Sequence, residues 1–174
     1  MKKKIILEKF KLSFLKTTEY LRWLENLNNI KNIGRHELFL LIKKNKIKKY
    51  LKEIIDSEDN YFYLIRNERN IPVGTIKLSH IDWYSRNGDI GVMINEEFRG
   101  NGYATMAIKQ ICDLSFDKLG LHKLVAGFMN TNIPMKRAFL KNKFKIEGLK
   151  KKHLYATSKY HDMLMVGLIN PKYK

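Results

Sequence analysis

Apolar positions recur along this chain at two different periods, and the switches between them mark its elements. In residues 4–15, Ile5, Leu7, Phe10 and Leu12 read as a strand and its exit, on a common side or across a bulge. Thr17 or Thr18 then caps a helix whose Tyr20, Leu21, Trp23, Leu24 and Leu27 form an apolar stripe, with Glu19, Arg22 and Glu25 off it. Trp23 reads as core packing. Residues 28–41 are less regular, and Gly34, Arg35, His36 and Glu37 read as a loop between helices. Ile47, Tyr50, Leu51, Ile54 and Ile55 fall on one face of the next helix with lysines opposite, and residues 56–60 end it in polar side chains. Residues 61–66 and 73–81 follow as strands, joined by the polar turn 67–70 with Pro72 at the edge of the second. A second hairpin returns through residues 84–88, where the pair Asn87 and Gly88 tolerates the positive φ such turns need.

The period changes most sharply in residues 89–116, DIGVMINEEFRGNGYATMAIKQICDLSF. Residues 89–94 read as a strand, and Ala104, Ala107, Ile108, Ile111 and Leu114 recur at helical spacing. Between them, RGNGYA brings two glycines to the start of the helix. The first N–H groups of a helix have no intrahelical partner, and the helix dipole makes them a site for anions, most often phosphate. Gly100 and Gly102 allow positive φ and a close approach to the backbone. The loop is neither GxGxxG, because residue 105 is threonine, nor GxxxxGK followed by Ser or Thr. Gly120 stops the helix and residues 121–128 form a strand, which implies a right-handed crossover and parallel pairing. A short helix starts near Pro134 and carries Met135, Ala138 and Phe139. Residues 144–147 and 163–169 close the chain as strands, separated by a basic loop containing tyrosines. The pattern predicts an α/β (α+β) domain over residues 1–174, a mixed sheet with helices on both faces.

At 174 residues the chain is long enough to bury a core without disulfides or metal. Its single cysteine, Cys112, rules out an intrachain disulfide, and no zinc-ligand spacing is present, so no metal is expected. Lys and Arg total 34 against 17 acidic residues, a net charge of +17 that favours anionic partners. The excess is mostly lysine and scattered. It carries no aromatic and basic signature of nucleic-acid binding. No apolar run reaches the roughly 20 residues of a membrane span, and the run after the basic opening, residues 5–7, is too short for a signal peptide. The expectation is a cytoplasmic protein, a monomer or homodimer.

The loop resembles the acyl-CoA-binding loop of the GNAT superfamily of N-acetyltransferases, Q/R-x-x-G-x-G/A, with Arg99, Gly102 and Ala104 in register. A second block, Asn132 followed by Met135, Ala138, Phe139, Lys141 and Phe144, is similar to the family's asparagine, small residue, short helix and Lys-x-Gly-Phe. The resemblance spans nearly the whole chain and implies a mostly antiparallel sheet whose central parallel strands splay apart. It implies acetyl-CoA as co-substrate. Backbone groups of Val92, Met93 and Ile94 would pair with the pantetheine arm. N–H groups of the stretch Gly100, Asn101, Gly102, Tyr103, Ala104 and Thr105 would hold the pyrophosphate. Arg99 would reach a phosphate or lie in solvent, and Asn132 would bond the cofactor or cap the helix before Pro134.

The family's reaction is direct attack of an amine on the thioester. The amine must be neutral, and the developing oxyanion needs a donor, for which the resemblance implies the N–H of Met93 or a neighbour. Deprotonating a lysine-type amine at pH 7 costs roughly 4.6 kcal/mol, against about 1.4 for an α-amine. The family's acid and base positions are changed here. Gly127 stands at a glutamate base, Phe139 at a tyrosine acid, Met135 at a serine, and Lys143 at the glycine before the closing phenylalanine. Asp89 matches an acidic position of the branch resembling ribosomal-protein N-terminal acetyltransferases, and acts through a water or is a strand-edge charge. Tyr155, with His153, Tyr160 and His161, is a candidate proton donor to the thiolate, with His80 behind them. The pattern TTEYLRWLENLNNI resembles acetyltransferases of amino sugars, and the segment 23–41 is expected to shape the acceptor site. The acceptor expected is a peptide α-amine, an amino sugar or another small molecule. The alternative is a GNAT-like module that binds CoA without catalysis.

Overall fold

The computed structural model describes residues 4–26 and 44–173. The described strands are β1 Ile5–Lys9, β2 Tyr61–Asn67, β3 Pro72–Asp82, β4 Asn87–Ile94, β5 Lys123–Met129, β6 Lys145–Ala156 and β7 Lys159–Ile169. They form one sheet in the order β1-β2-β3-β4-β5-β7-β6. Every neighbouring pair is antiparallel except β4 with β5. The described helices are α1 Phe14–Thr17, α2 Tyr20–Glu25, α3 Lys44–Asp56, α4 Tyr103–Asp113 and α5 Ile133–Lys141.

Both faces of the sheet are covered because its central strands are apolar on both sides. In β2, Leu64 and Ile65 are fully buried on opposite faces, as the two-residue period of a strand requires. Leu64 and Phe62 pack with Phe10, Tyr20, Trp23 and Leu51 of the α1–α3 layer. Ile65 joins Ile76, Ile108, Ile111, Leu124 and Val166 under α4 and α5. Trp23 is therefore core, as its spacing predicts.

Three sequence expectations change. Residues 14–17, which overlap the expected exit of the first strand, form a separate short helix α1, and the helix expected after Thr18 is α2. The Thr18 hydroxyl donates to the Phe14 carbonyl at 2.6 Å and accepts the Tyr20 N–H at 3.4 Å, so it closes α1 and opens α2. Asn87 and Gly88 are not the turn. They belong to β4, where buried Gly88 has Leu78 packed against it, and the chain reverses over residues 83–86. Asp82 builds that turn by accepting the N–H groups of Tyr84 and Ser85, each at 2.9 Å. Last, the expected basic loop is a long hairpin, β6–β7, whose turn is only residues 157–158. Exposed lysines along β6 suppress the apolar alternation that marks a strand, and bulges interrupt its register after Ile146 and Lys150. The expected loop over residues 28–41 lies outside the described residues.

Candidate functional site

The site is made by a disagreement between two strands. β4 pairs with β5 only over residues 87–89 and 123–125, and beyond them the two part. On its other edge β4 stays paired to β3 as far as Ile94. The Asn95 N–H donates to the Val73 carbonyl at 3.0 Å. Alternation on a regular ladder then turns the backbone of Met93 and Gly91 toward β3, and that of Val92 and Ile94 into the gap. Of the expected pair, Met93 or a neighbour, it is thus the Val92 N–H that faces the gap. Gly74 on β3 permits this, since a Cβ there would collide with the Met93 carbonyl oxygen.

Below the gap, β4 runs through a single 3₁₀ turn, Glu96–Phe98, into the glycine loop. Gly100 and Gly102 adopt φ of +77° and +82°, left-handed values that a side chain resists. Beyond the chain neighbours, nothing lies within 4 Å of where a Cβ would stand at either, so the loop is open. Asn101 turns its amide inward, donating to the carbonyls of Phe98 and Arg99 at 3.1 and 3.2 Å. The first bond of α4 runs from the Met106 N–H to the Gly102 carbonyl at 3.1 Å. The N–H groups of Ala104 and Thr105 precede that ladder and project from the helix start.

A cavity of about 520 Å³ opens over this loop. Every residue expected at the cofactor lines it except Asn101, whose role is to shape the loop. It also takes in Pro134, Ala138 and Lys141 of the second block, together with Phe98, Thr131 and Arg137, which sequence reasoning did not single out. Asn132 caps α5, its Oδ1 accepting the Met135 N–H at 3.2 Å, so donation to a ligand falls to its amide nitrogen. Asn142, also missed, donates to Thr105 and Ala138 carbonyls at 3.0 and 2.9 Å and ties α4 to α5 across the cavity wall. Positive helix start, open glycine backbone and Arg99, Arg137 and Lys141 at the walls fit a polyanion with an extended arm, as acetyl-CoA is.

A second cavity, of about 720 Å³, lies on the far side of the gap and shares Val92, Met93, Asn132 and Met135 with the first. Ile54, Phe62 and Phe128 give it apolar wall, while Glu53, Ser57, Asn60, Lys77 and His80 give it polar groups. Lys77 lies across Gly91 and donates to the Tyr50 hydroxyl at 3.3 Å. His80 has its Nδ1 3.4 Å from Asp89 Oδ2. Asp89 lines neither cavity but stands behind His80, which lines the second. The φ of +51° at His80 marks the irregularity of β3 that makes this possible. Tyr155 lies on the β6–β7 hairpin, half-exposed against Tyr160 with ring centroids 5.1 Å apart, and lines neither cavity.

The changed family positions are filled by apolar groups. Met163 and Met165 thioethers occupy the space that a side chain at Gly127 would take. Phe139 is buried, stacked on Phe128 with centroids 5.5 Å apart and edge-on to Phe144 at 4.9 Å. Cys112 is inert, its thiol pushed up to about 12 chiefly by burial and secondarily by the Asp113 charge. Among the described residues no group of three or more His, Cys, Asp or Glu gathers to hold a metal ion.

The chain matches the family model described as acetyltransferase (GNAT) domain over residues 10–145. It is 26% identical over 159 residues to the spermidine N(1)-acetyltransferase of Vibrio cholerae, covering 88% of this chain and 89% of that one. It is 25% identical over 130 residues to the probable N-acetyltransferase YjcK of Bacillus subtilis, covering 74% and 72%. Its fold superposes on the crystal structure of spermidine N-acetyltransferase from Vibrio cholerae in complex with CoA and spermine. That match has a TM-score of 0.84 at 19% identity and covers 97% of each chain. Neither the ribosomal-protein nor the amino-sugar branch is singled out by these relatives.

Proposed function

The chain belongs to the GNAT acetyltransferase family and is an acetyl-CoA-dependent N-acetyltransferase, and on that premise we propose that its acceptor is a small-molecule primary amine of the polyamine class. The observation that carries this reading is the pair of cavities meeting at Val92, Met93, Asn132 and Met135. One has the chemistry for a polyanion, and the other approaches the same backbone from the opposite side. The acceptor cavity, of about 720 Å³, offers apolar wall for methylenes and the Glu53 carboxylate, Ser57 and Asn60 for ammonium groups. The spermidine acetyltransferase names among the relatives agree with that chemistry.

In this reading the N–H groups of Ala104 and Thr105, with the open loop at Gly100 and Gly102, hold the pyrophosphate. Val92 and Ile94 pair with the pantetheine arm as an added strand would. The acetyl carbonyl then lies at the gap, where the Val92 N–H stabilises the developing oxyanion. The attacking nitrogen forms its bond to the acetyl carbon, the carbon–sulfur bond breaks, and the nitrogen's second proton passes to the departing thiolate. An alkylammonium near pKa 10.4 must first lose a proton, at a cost of roughly 4.6 kcal/mol at pH 7. His80 accepts that proton through water, with Asp89 stabilising the imidazolium. Tyr155 has no part in this chemistry.

The test is release of CoA thiol from acetyl-CoA with spermidine, spermine, a peptide bearing a free α-amine, and glucosamine. Polyamines are expected to exceed the other amines in kcat/KM by roughly 100-fold. Preference for the peptide or the sugar overturns the acceptor assignment. Acetyl-CoA binding without turnover of any amine leaves the non-catalytic module in its place.

A further inference from the structure

Two stretches of the acceptor cavity's lining lie where the regular structure runs out. Ser57 and Asn60 belong to residues 57–60, which follow α3 and precede β2. His80 belongs to the far end of β3. β2 begins at Tyr61 opposite Leu78, so β3 runs past it from Ser79 onward. On the other edge, residues 80 and 81 face the single residue Gly88 in a bulge. Neither ladder therefore pins His80, and what places it comes from the residues around it. The first stretch is gathered by the Ser57 hydroxyl, which accepts the Asp59 N–H at 3.1 Å and the Asn60 amide at 2.9 Å. Asp59 lies outside the lining, and its Oδ1 accepts the Trp83 indole N–H at 2.6 Å. Trp83 opens the turn over residues 83–86, three residues after His80. Its side chain is 46% exposed, so core packing does not account for its place, whereas a hydrogen bond to a carboxylate does.

We propose that the Trp83–Asp59 hydrogen bond is a positioning tether. It sets the spacing between the ammonium-holding groups Ser57 and Asn60 and the proton acceptor His80, and so selects acceptors by the distance between their nitrogens. The inference rests on the acceptor reading above. An alkyl diamine places one ammonium against Glu53, Ser57 and Asn60 while its other nitrogen reaches His80 and the gap. A chain one methylene too short or too long misplaces the reacting nitrogen by about 1 Å, a displacement that costs up to roughly 100-fold in rate. With the tether cut, the two stretches shift independently and the preference broadens.

The experiment measures kcat/KM, by release of CoA thiol, for the terminal diamines of propane, butane, pentane and hexane. The wild type is expected to prefer one chain length over its neighbours by roughly fivefold or more. Trp83→Phe, which keeps a ring but loses the N–H, and Asp59→Ala are expected to bring the diamines within about twofold of one another. Asp59→Asn keeps an oxygen to accept the indole N–H and is expected to retain the preference. Calorimetry is expected to give every variant the wild-type affinity for acetyl-CoA, which separates loss of the tether from loss of the fold. A preference that survives in both Trp83→Phe and Asp59→Ala, an equal loss across all the diamines, or a wild type that does not discriminate among them overturns the tether and leaves the acceptor reading standing. A wild type that turns over none of the diamines but does turn over the peptide or glucosamine overturns the acceptor reading and the tether with it.

Discussion

Gly74, Gly127 and Lys143 show how single positions carry this site. A Cβ at Gly74 would meet the Met93 backbone oxygen, which has nowhere to go without disturbing the strand that faces the cofactor. A Cβ at Gly127 would meet the end of the Met163 side chain, which can rotate away. Gly74→Ala is therefore expected to cost about 1–3 kcal/mol and to raise the KM for acetyl-CoA. Gly127→Ala is expected to stay within about 1 kcal/mol of wild type. Chemical denaturation of the two proteins checks the contrast, and equal losses would show that the β3–β4 approach is not what fixes Met93. Lys143 stands where the family resemblance places a glycine, yet keeps φ at +68°. The fold thus holds its left-handed turn with a residue that disfavours it by about 1 kcal/mol. The glycines of the loop were legible in the sequence because positive φ leaves a compositional mark. Lys77 was not, since what distinguishes it is its contact with Tyr50, far away in sequence.

At the scale of elements, the succession of β4, glycine loop and α4 was readable because its period changes from two to 3.6 across two glycines. The parting of β4 from β5 was expected only through the family resemblance, because no local pattern encodes where a parallel pair stops. The β6–β7 hairpin escaped because its outer strand is solvated and lysine-rich, which is how an edge strand avoids pairing with other chains. α5 unites two jobs at its first turn. Asn132 caps it and lines both cavities, so substitution should separate the jobs. Asn132→Ala is expected to lose about 1 kcal/mol of stability together with acetyl-CoA affinity. Asn132→Ser keeps a capping oxygen, and is expected to recover most of the stability but not the affinity. Thermal unfolding beside calorimetry reads the two quantities. Full recovery of both by serine would reduce Asn132 to a cap.

For the molecule as a whole, the charge of +17 draws a polyanionic co-substrate toward the α4 start and repels a polycationic acceptor. The acceptor side therefore depends on local groups such as Glu53, while the cofactor side is favoured by nearly every surface lysine. None of the described helices is long and apolar enough to cross a membrane. The sheet presses two cores against its faces and leaves one gap between them, and the account rests on acetyl-CoA filling that gap from the glycine loop. Gly102 tests it most directly, because a side chain there has open space and enters the cavity rather than the core. The measurement is calorimetric titration of acetyl-CoA into the wild type and Gly102→Trp, with circular dichroism to show that both are folded. The account predicts micromolar binding by the wild type, within the usual range for an enzyme substrate, and its loss by the folded variant. Equal affinity in the two proteins would contradict it.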